Sequence, residues 1–209
     1  TLTATSNIGL GSGAVDSIDG GDYNVGIGDN ALTAALSGVD NTAVGYAALT
    51  ANTGGVENTS VGKDSSFTNA TGSKNTVVGR GAFYANISGS NNVAIGHNSL
   101  AQNNTASNNT AVGTDALTAN TTGTNNTASG YQALYTNTTG AGNTALGKLA
   151  LYSNTTADYN TAVGYDALRL DTIGDKNTAV GKDALYNNDD GNNNTAVGYQ
   201  ALLSCTEGD

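Results

Sequence analysis

Side chains that commonly carry out catalysis are scarce in this sequence of 209 residues. His97 is its single histidine and Cys205 its single cysteine, so one chain cannot form a histidine triad, a multi-histidine metal site or an internal disulfide. A row of aspartates recurs at one place in a repeating motif, but it supplies no carboxylate pair for glycoside hydrolysis. We therefore predict no catalytic residue, no metal site and no cofactor, and expect that the protein is not an enzyme.

Tyrosines at regular spacing are the remaining candidates for contact with another molecule. Four of them, separated by multiples of 17 residues, are Tyr46, Tyr131, Tyr165 and Tyr199. Their rings could stack on the sugar rings of a cell-surface glycan, or they could cover one edge of the molecule as amphipathic side chains. Lysine, arginine and histidine occupy the same place in other copies of the motif, so we expect this place to lie on the outside.

These tyrosines belong to a repeat that fills nearly the whole chain. An asparagine, taken as position 1, recurs every 17 residues without insertion or deletion, and a glycine follows at position 5 in every copy. The asparagines are Asn7, Asn24, Asn41, Asn58, Asn75, Asn92, Asn109, Asn126, Asn143, Asn160, Asn177 and Asn194. Position 2 is mostly Thr, position 3 mostly Ala or Gly, position 4 mostly Val, and positions 8 and 9 are mostly Ala and Leu.

The constant length of the repeat indicates stacked coils. Loops of globular domains tolerate length changes cheaply, whereas an extra residue in a stacked coil would break its alignment with the next. β-branched residues alternating with small ones have the period of a strand, and 17 residues are too few for a helical repeat. The sequence therefore predicts an all-β parallel β-solenoid of twelve coils, about 55 Å long at about 4.8 Å per coil. Residues 7–209 form this single domain, and residues 1–6 form a lead-in.

The alternation within the motif also predicts which side chains point inward. Positions 2 and 4 share one face of a strand, and positions 3 and 5 share the other. We expect the Val of position 4, and with it the Thr of position 2, to face the interior. We expect about two short strands in each coil, with bends at the Asn and Gly of positions 1, 5, 12 and 15, where left-handed backbone angles are needed.

The apolar content of each coil is small for a fold that must order every residue of the repeat. The hydrophobic fraction is 37%, and each coil offers two large apolar side chains, which contribute about 1.5–3 kcal/mol each when buried. If positions 8 and 9 form a strand, one of them lines the interior and the other forms an outer row. An outer row of small Ala residues favours a side-by-side homotrimer. The alternative is a bend at positions 6–8 that turns both residues inward in a monomer.

Stacking predicts ladders of identical side chains. We expect the Asn of position 1 to form an internal amide ladder, with the glycines of position 5 stacked beside it. The residues assigned to this structural ladder are Asn41, Asn58, Asn75, Asn109, Asn126, Asn143, Asn160, Asn177, Asn194, Gly45, Gly113, Gly164 and Gly198.

The composition disfavours several classes of partner. The formal net charge of −10 argues against nucleic acid and anionic membrane surfaces. No stretch approaches 18 consecutive apolar residues, so we expect no membrane insertion. No basic segment followed by an apolar run opens the chain, so no signal peptide is expected.

The motif resembles the repeats of known surface proteins. Residues 92–99 (NVAIGHNS) resemble the head repeat of YadA-like trimeric autotransporter adhesins, and residues 194–202 (NTAVGYQAL) are similar to repeats in phage tail fibres. The resemblance covers residues 7–202, and it implies a left-handed parallel β-roll with three chains side by side. The period of 17 residues is longer than the coil of the YadA-like heads, and the sequence shows no coiled-coil stalk.

Together these observations predict an extracellular structural protein that assembles with itself. The expected role is a shaft or head of a viral tail fibre or bacterial surface appendage, with a cell-surface glycan or protein as candidate receptor. One alternative is a filament subunit whose coils stack end to end between chains. Another is an ice-binding solenoid, which would need an outward-facing Thr ladder. For Cys205, an interchain bond and a free thiol both stay open.

Overall fold

The computed structural model describes residues 6–17, 19–34 and 37–204. Within these residues the chain forms a parallel β-solenoid without helices, which confirms the predicted fold class. Cys205 and residues 1–5 of the expected lead-in lie outside the described residues.

Each coil contains one strand of three residues, at repeat positions 2–4. The strands are β1 (Ile8–Leu10), β2 (Val25–Ile27), β3 (Thr42–Val44), β4 (Thr59–Val61), β5 (Thr76–Val78), β6 (Val93–Ile95), β7 (Thr110–Val112), β8 (Thr127–Ser129), β9 (Thr144–Leu146), β10 (Thr161–Val163), β11 (Thr178–Val180) and β12 (Thr195–Val197). They pair in parallel in sequential order, and identical repeat positions lie side by side, as with Thr161 and Thr178. The second strand expected in each coil is absent from the described residues, which form turns and bends between the strands.

The strands point their small residues inward, which is the reverse of the predicted orientation. The central residue of every strand from β2 to β12 is buried, whereas positions 2 and 4 are partly or fully exposed. The reason is the narrow interior. A Cβ atom added at Gly26 would lie 2.5 Å from Cγ2 of Val15 and 3.0 Å from the carbonyl oxygen of Ala31. Such a space admits Ala in most coils. The one Val at position 3, Val77, follows a coil whose interior is lined by serines.

Positions 6–10 form a turn that brings both Ala and Leu into the interior. Ala116 and Leu117 are both fully buried. The backbone adopts left-handed angles at positions 7 and 9, with φ of 55° at Asp115 and 52° at Leu117, so that consecutive residues can turn inward. The bend in that alternative is therefore confirmed. The row of Ala residues that was expected to form an outer contact surface is buried inside each coil.

The glycines of the repeat meet two different requirements. At position 5, Gly113 has a φ of +137°, and a Cβ atom there would lie 2.5 Å from the carbonyl oxygen of Gly130 in the next coil. At position 15, Gly123 has no left-handed angle, but a Cβ atom would lie 2.3 Å from the carbonyl oxygen of Gly140. The expectation of left-handed angles thus holds at position 5 and is wrong at positions 1, 12 and 15; such angles occur at positions 7, 9 and 17 instead.

A ladder of buried asparagines at position 1 closes each coil and joins it to its neighbour. From Asn24 onward, each backbone N–H at this position donates to Oδ1 of the asparagine one coil earlier, at 2.7–3.0 Å. The side-chain Nδ2 of Asn109 donates to the carbonyl oxygen of Gly123, 14 residues later in the same coil, at 2.9 Å. Each asparagine side chain therefore pairs one backbone N–H group and one backbone carbonyl group, which in a helix or a wide sheet would be paired by the backbone itself.

A second asparagine ladder runs at position 12. Nδ2 of Asn120 donates to Oδ1 of Asn103 at 3.1 Å, and Nδ2 of Asn137 donates to Oδ1 of Asn120 at 2.8 Å. The same amide groups also donate to the carbonyl oxygen of position 15, as between Asn120 and Gly123 at 2.9 Å. The two ladders thus meet at one carbonyl group in each coil.

The apolar core divides at the fourth coil, where three serines stand in for Ala, Ala and Leu. Oγ of Ser60 lies 2.8 Å from Oγ of Ser65 and 3.0 Å from Oγ of Ser66, and all three are buried. The apolar clusters on either side are separate. The next coil carries the larger Val77 and Phe83, which are fully buried. Small polar and large apolar residues thus lie in adjacent coils of the same core.

Candidate functional surfaces

The outer face of the sheet is a regular array of Thr and apolar side chains. Neighbouring coils are about 4.8 Å apart, and positions 2 and 4 lie about 6.7 Å apart along a strand. No charged residue occupies either position in any of the twelve repeats, and position 4 is Val, Ile or Leu in eleven of them. The most exposed apolar residues at position 4 are Leu10, Ile27, Val78, Ile95, Val112, Leu146 and Val197. We call this surface the Thr/Val face.

The Thr hydroxyls of the Thr/Val face differ from those elsewhere in the chain. In the turns, Oγ1 of Thr136 donates to the carbonyl oxygen of Tyr152 at 2.8 Å, and Oγ1 of Thr121 donates to that of Thr138 at 3.0 Å. Within the described residues no side-chain hydrogen bond is made by the nine threonines of position 2, which are Thr42, Thr59, Thr76, Thr110, Thr127, Thr144, Thr161, Thr178 and Thr195. Their hydroxyls are available to water or to a partner.

Beyond the glycine bend, position 6 carries an exposed row of tyrosines and cations. The candidate surface residues Tyr46, Tyr131, Tyr165 and Tyr199 are all exposed. Nζ of Lys148 lies 6.0 Å from the ring centre of Tyr131 and 5.4 Å from that of Tyr165. Nζ of Lys182 lies 5.7 Å from the ring of Tyr165 and 5.4 Å from that of Tyr199. The tyrosines therefore do not stack directly on one another; they alternate with ammonium groups in cation–π contacts.

Position 10 carries a second aromatic row, which is not among the sites predicted from sequence. The rings of Tyr135 and Tyr152 stack with centres 5.3 Å apart and planes 6° from parallel. The guanidinium of Arg169 lies 5.8 Å from the rings of both Tyr152 and Tyr186. Phe67 lies partly exposed in this row, whereas the preceding Ser66 is buried.

Asp171 interrupts the position 12 ladder with a carboxyl group. It is fully buried, and its oxygens accept hydrogen bonds from the N–H of Gly174 at 2.8 Å, Nδ2 of Asn177 at 3.2 Å and Nδ2 of Asn188 at 3.3 Å. Burial raises the pKa of the Asp171 carboxyl from 3.8 to about 7; these hydrogen bonds oppose the shift, and the charge of Asp175 adds to it. Its place in the ladder and its burial give it a structural role.

In the part of the chain that the structure describes, no group of three or more His, Cys, Asp or Glu residues is arranged to hold a metal ion. No described helix is long and apolar enough to cross a membrane. Of the ladder residues proposed from sequence, the asparagines of position 1 are buried except for the partly buried Asn194, whereas the glycines of position 5 are partly or fully exposed, and the proposed tyrosines lie on the surface.

Comparison with protein-family models, with curated proteins and with solved structures finds no match to this chain.

Proposed function

We propose that the protein is a non-catalytic, extracellular shaft or head segment of a viral fibre or bacterial surface appendage, in which copies assemble side by side through the Thr/Val face. The observation that supports this proposal is that positions 2 and 4 of the Thr/Val face hold nearly the same residue types in every repeat although they are exposed. β-propensity favours Thr and Val on a strand, but it also favours Tyr, which the sequence places at positions 6, 10 and 17 and never at positions 2 or 4. Packing within the chain does not demand this restriction, because both positions point outward.

The Thr/Val face is large enough to be shared with other copies of the chain. A surface about 55 Å long and about 10 Å wide covers roughly 550 Å², at the upper end of the apolar patches that monomers expose. Three such faces turned towards a common axis would bury about 1,600 Å² in total, or about 550 Å² at each pairwise contact, which is less than a standard two-protein interface. Uncharged rows with the coil period can meet their own copies in register under threefold symmetry. The resemblance of the motif to repeats with three chains side by side favours a homotrimer over a dimer.

Light scattering on the intact chain tests the proposal. We expect a mass of three times the 20.7 kDa of one chain. Thr127→Lys places three ammonium groups at the shared axis and should give monomers. Thr105→Lys, which adds the same charge at an exposed turn position, should leave the trimer intact. A wild-type monomer, or dissociation of both variants alike, would contradict the proposed interface.

An ice-binding solenoid is the second candidate, because the structure supplies the outward Thr ladder that this function needs. The nine hydroxyls of position 2 make no bond within the described chain, and they repeat at about 4.8 Å. The apolar position 4 favours a protein partner instead, since only one of the two rows offers hydroxyls. Thermal hysteresis of a monomeric wild-type chain, abolished by Thr144→Tyr, would replace the assembly proposal with this one.

A filament that grows end to end is the third candidate. Strands β1 and β12 each have one unpaired edge within the described residues. This arrangement would make mass increase continuously with concentration, whereas a side-by-side trimer stops at three chains. The same light-scattering series therefore separates the two modes of assembly.

A further inference from the structure

We propose that a surface depression across the fourth to sixth coils binds an acidic saccharide unit through Arg80, with Tyr84 as the platform for its ring. The depression has a volume of about 460 Å³ and is lined by Asp64, Arg80, Gly81, Tyr84, His97 and Asn98. It lies beyond the glycine bend, away from the Thr/Val face, so the proposal does not depend on how the chains assemble.

The depression lies where position 7 lacks a side chain, which is the case at Gly81 in the fifth coil and also at Gly13 in the first. Asp64 and Asn98 occupy position 7 on either side, whereas Gly81 lies between them. The backbone is left-handed at all three residues, with φ of 55°, 63° and 52° along the chain. Gly81 therefore makes the same turn as its neighbours, and its missing side chain leaves an opening in the row.

The charge beside this opening is unusual for the molecule. Lys63, Arg80 and His97 are consecutive residues of the position 6 row, about 4.8 Å apart from coil to coil. Nζ of Lys63 lies 3.7 Å from Oδ2 of Asp64 and 5.3 Å from the ring centre of Tyr46, and Lys148 and Lys182 lie between tyrosine rings. Within the described residues the exposed Arg80 has neither an ion pair nor a ring contact. Its guanidinium is therefore the positive charge available to an anion in the depression, even on a chain of net charge −10.

The aromatic wall of the depression determines the kind of anion. The ring of Tyr84 is 42% exposed and stacks on Phe67, with centres 5.1 Å apart and planes 5° from parallel. An exposed ring held in this way offers a platform for the C–H face of a sugar. The guanidinium of Arg80 matches a carboxylate in two parallel hydrogen bonds. Asp64, which pairs with Lys63, and Asn98, whose Nδ2 donates to Oδ1 of Asp115 at 3.4 Å, each keep an oxygen that can accept a hydrogen bond from a sugar hydroxyl.

Calorimetric titration with the hyaluronan hexasaccharide, which carries a carboxylate on every second sugar, tests the proposal. The neutral hexamer of N-acetylglucosamine and inorganic sulfate are the comparison ligands. We expect saturable binding of the hyaluronan hexasaccharide and at least tenfold weaker binding of the other two, since one bidentate charged contact is worth about a factor of ten. Absence of saturable binding, or equal binding of sulfate, would overturn the assignment.

Matched variants localise the binding. Arg80→Thr should weaken it at least tenfold, because it removes the bidentate contact. Gly81→Asn should do the same by filling the depression. Asn98 shows that Asn adopts these backbone angles, and the Asn98 side chain, whose Oδ1 would lie 2.8 Å from the new Cβ atom, must shift to admit it. Lys182→Thr removes the same charge from the same row outside the depression, so affinity should change less than about twofold. Equal losses in Arg80→Thr and Lys182→Thr would show non-specific charge attraction and reject the site. Circular dichroism and light scattering on the same samples report folding and assembly separately.

Discussion

Replacing Asp171 by Asn should stabilise the protein, and the gain should depend on pH. The buried carboxyl has its pKa raised from 3.8 to about 7, so its ionised form costs the folded state about 4 kcal/mol. Asn at this place also restores the amide donor of the ladder, worth about 1 kcal/mol. Asp171→Asn should therefore raise the free energy of unfolding by about 5 kcal/mol above pH 7 and by about 1 kcal/mol near pH 4.

The sign follows from which state holds the proton. Below about pH 4 the carboxyl is protonated in both folded and unfolded chains, so this group makes no pH-dependent contribution. Between about pH 4 and 7 the unfolded chain releases the proton and the folded chain keeps it, so the stability of the wild type falls. Above about pH 7 both states are ionised, and the difference from the variant becomes constant.

Urea denaturation followed by circular dichroism at pH 4, 6 and 8 measures this difference. Subtracting the wild type from Asp171→Asn cancels the titration of the other carboxylates, because both chains share them. Asn154→Asp is the matched control: it puts a carboxyl into the preceding coil of the same ladder and should produce a new loss of stability as the pH rises. A difference between wild type and Asp171→Asn that stays flat from pH 4 to 8 would refute the assignment of the raised pKa to this carboxyl.

Three further substitutions test the stacked coil, each by thermal and urea denaturation. Gly113→Ala should destabilise by at least about 3 kcal/mol, because it combines a left-handed angle with a clash against the next coil, whereas Gly54→Ala, where the nearest atom would lie 3.6 Å away, should be nearly neutral. Asn109→Ala should cost about 3 kcal/mol, since it removes two buried hydrogen bonds, and the exposed Asn104→Ala should cost little. Leu117→Ala should cost about 2–5 kcal/mol by opening a cavity in the interior. Costs below about 1 kcal/mol for all three would show that the coils do not share one cooperative stack.

The architecture could be predicted from the repeat length, because a constant length is visible directly in the sequence and fixes how the coils stack. A fixed interval of 17 residues is enough to place every Asn over the one before it, and the amide ladder and parallel register follow from this alignment. The exposed place of the tyrosines was predictable as well, since Lys and Arg share their repeat position. Each of these predictions uses stacking, and none requires the shape of the coil interior.

The predicted orientation of the strands was wrong because it followed the hydrophobicity of the side chains, whereas their volume decides which of them fit inside the coil. Val is more apolar than Ala, which suggested that position 4 faces inward. The space opposite the turn admits only a small side chain in most coils, so Ala faces inward and Val outward. That space is narrow because residues such as Leu117 turn inward with left-handed angles, a conformation that β-branched and bulky residues seldom adopt and that the sequence does not signal. Asp171, by contrast, was visible in the sequence as one Asp in a row of Asn.

The exposed positions of the repeat differ in how much their residues vary among the twelve copies. Buried positions vary little, because each side chain contacts its equivalent in the next coil. At the outward position 6 the residues range from Asp29 to Lys63 and Tyr46, so nothing beyond each coil restricts that position. Positions 2 and 4 are equally outward, yet they hold small β-branched or aliphatic residues with few exceptions. We propose that an exposed position as uniform as a buried one is restricted by contacts outside the chain. Such a restriction would fit one repeated contact along the rod, as in the proposed assembly, whereas position 6 varies from coil to coil and could hold a single local site such as that proposed at Arg80.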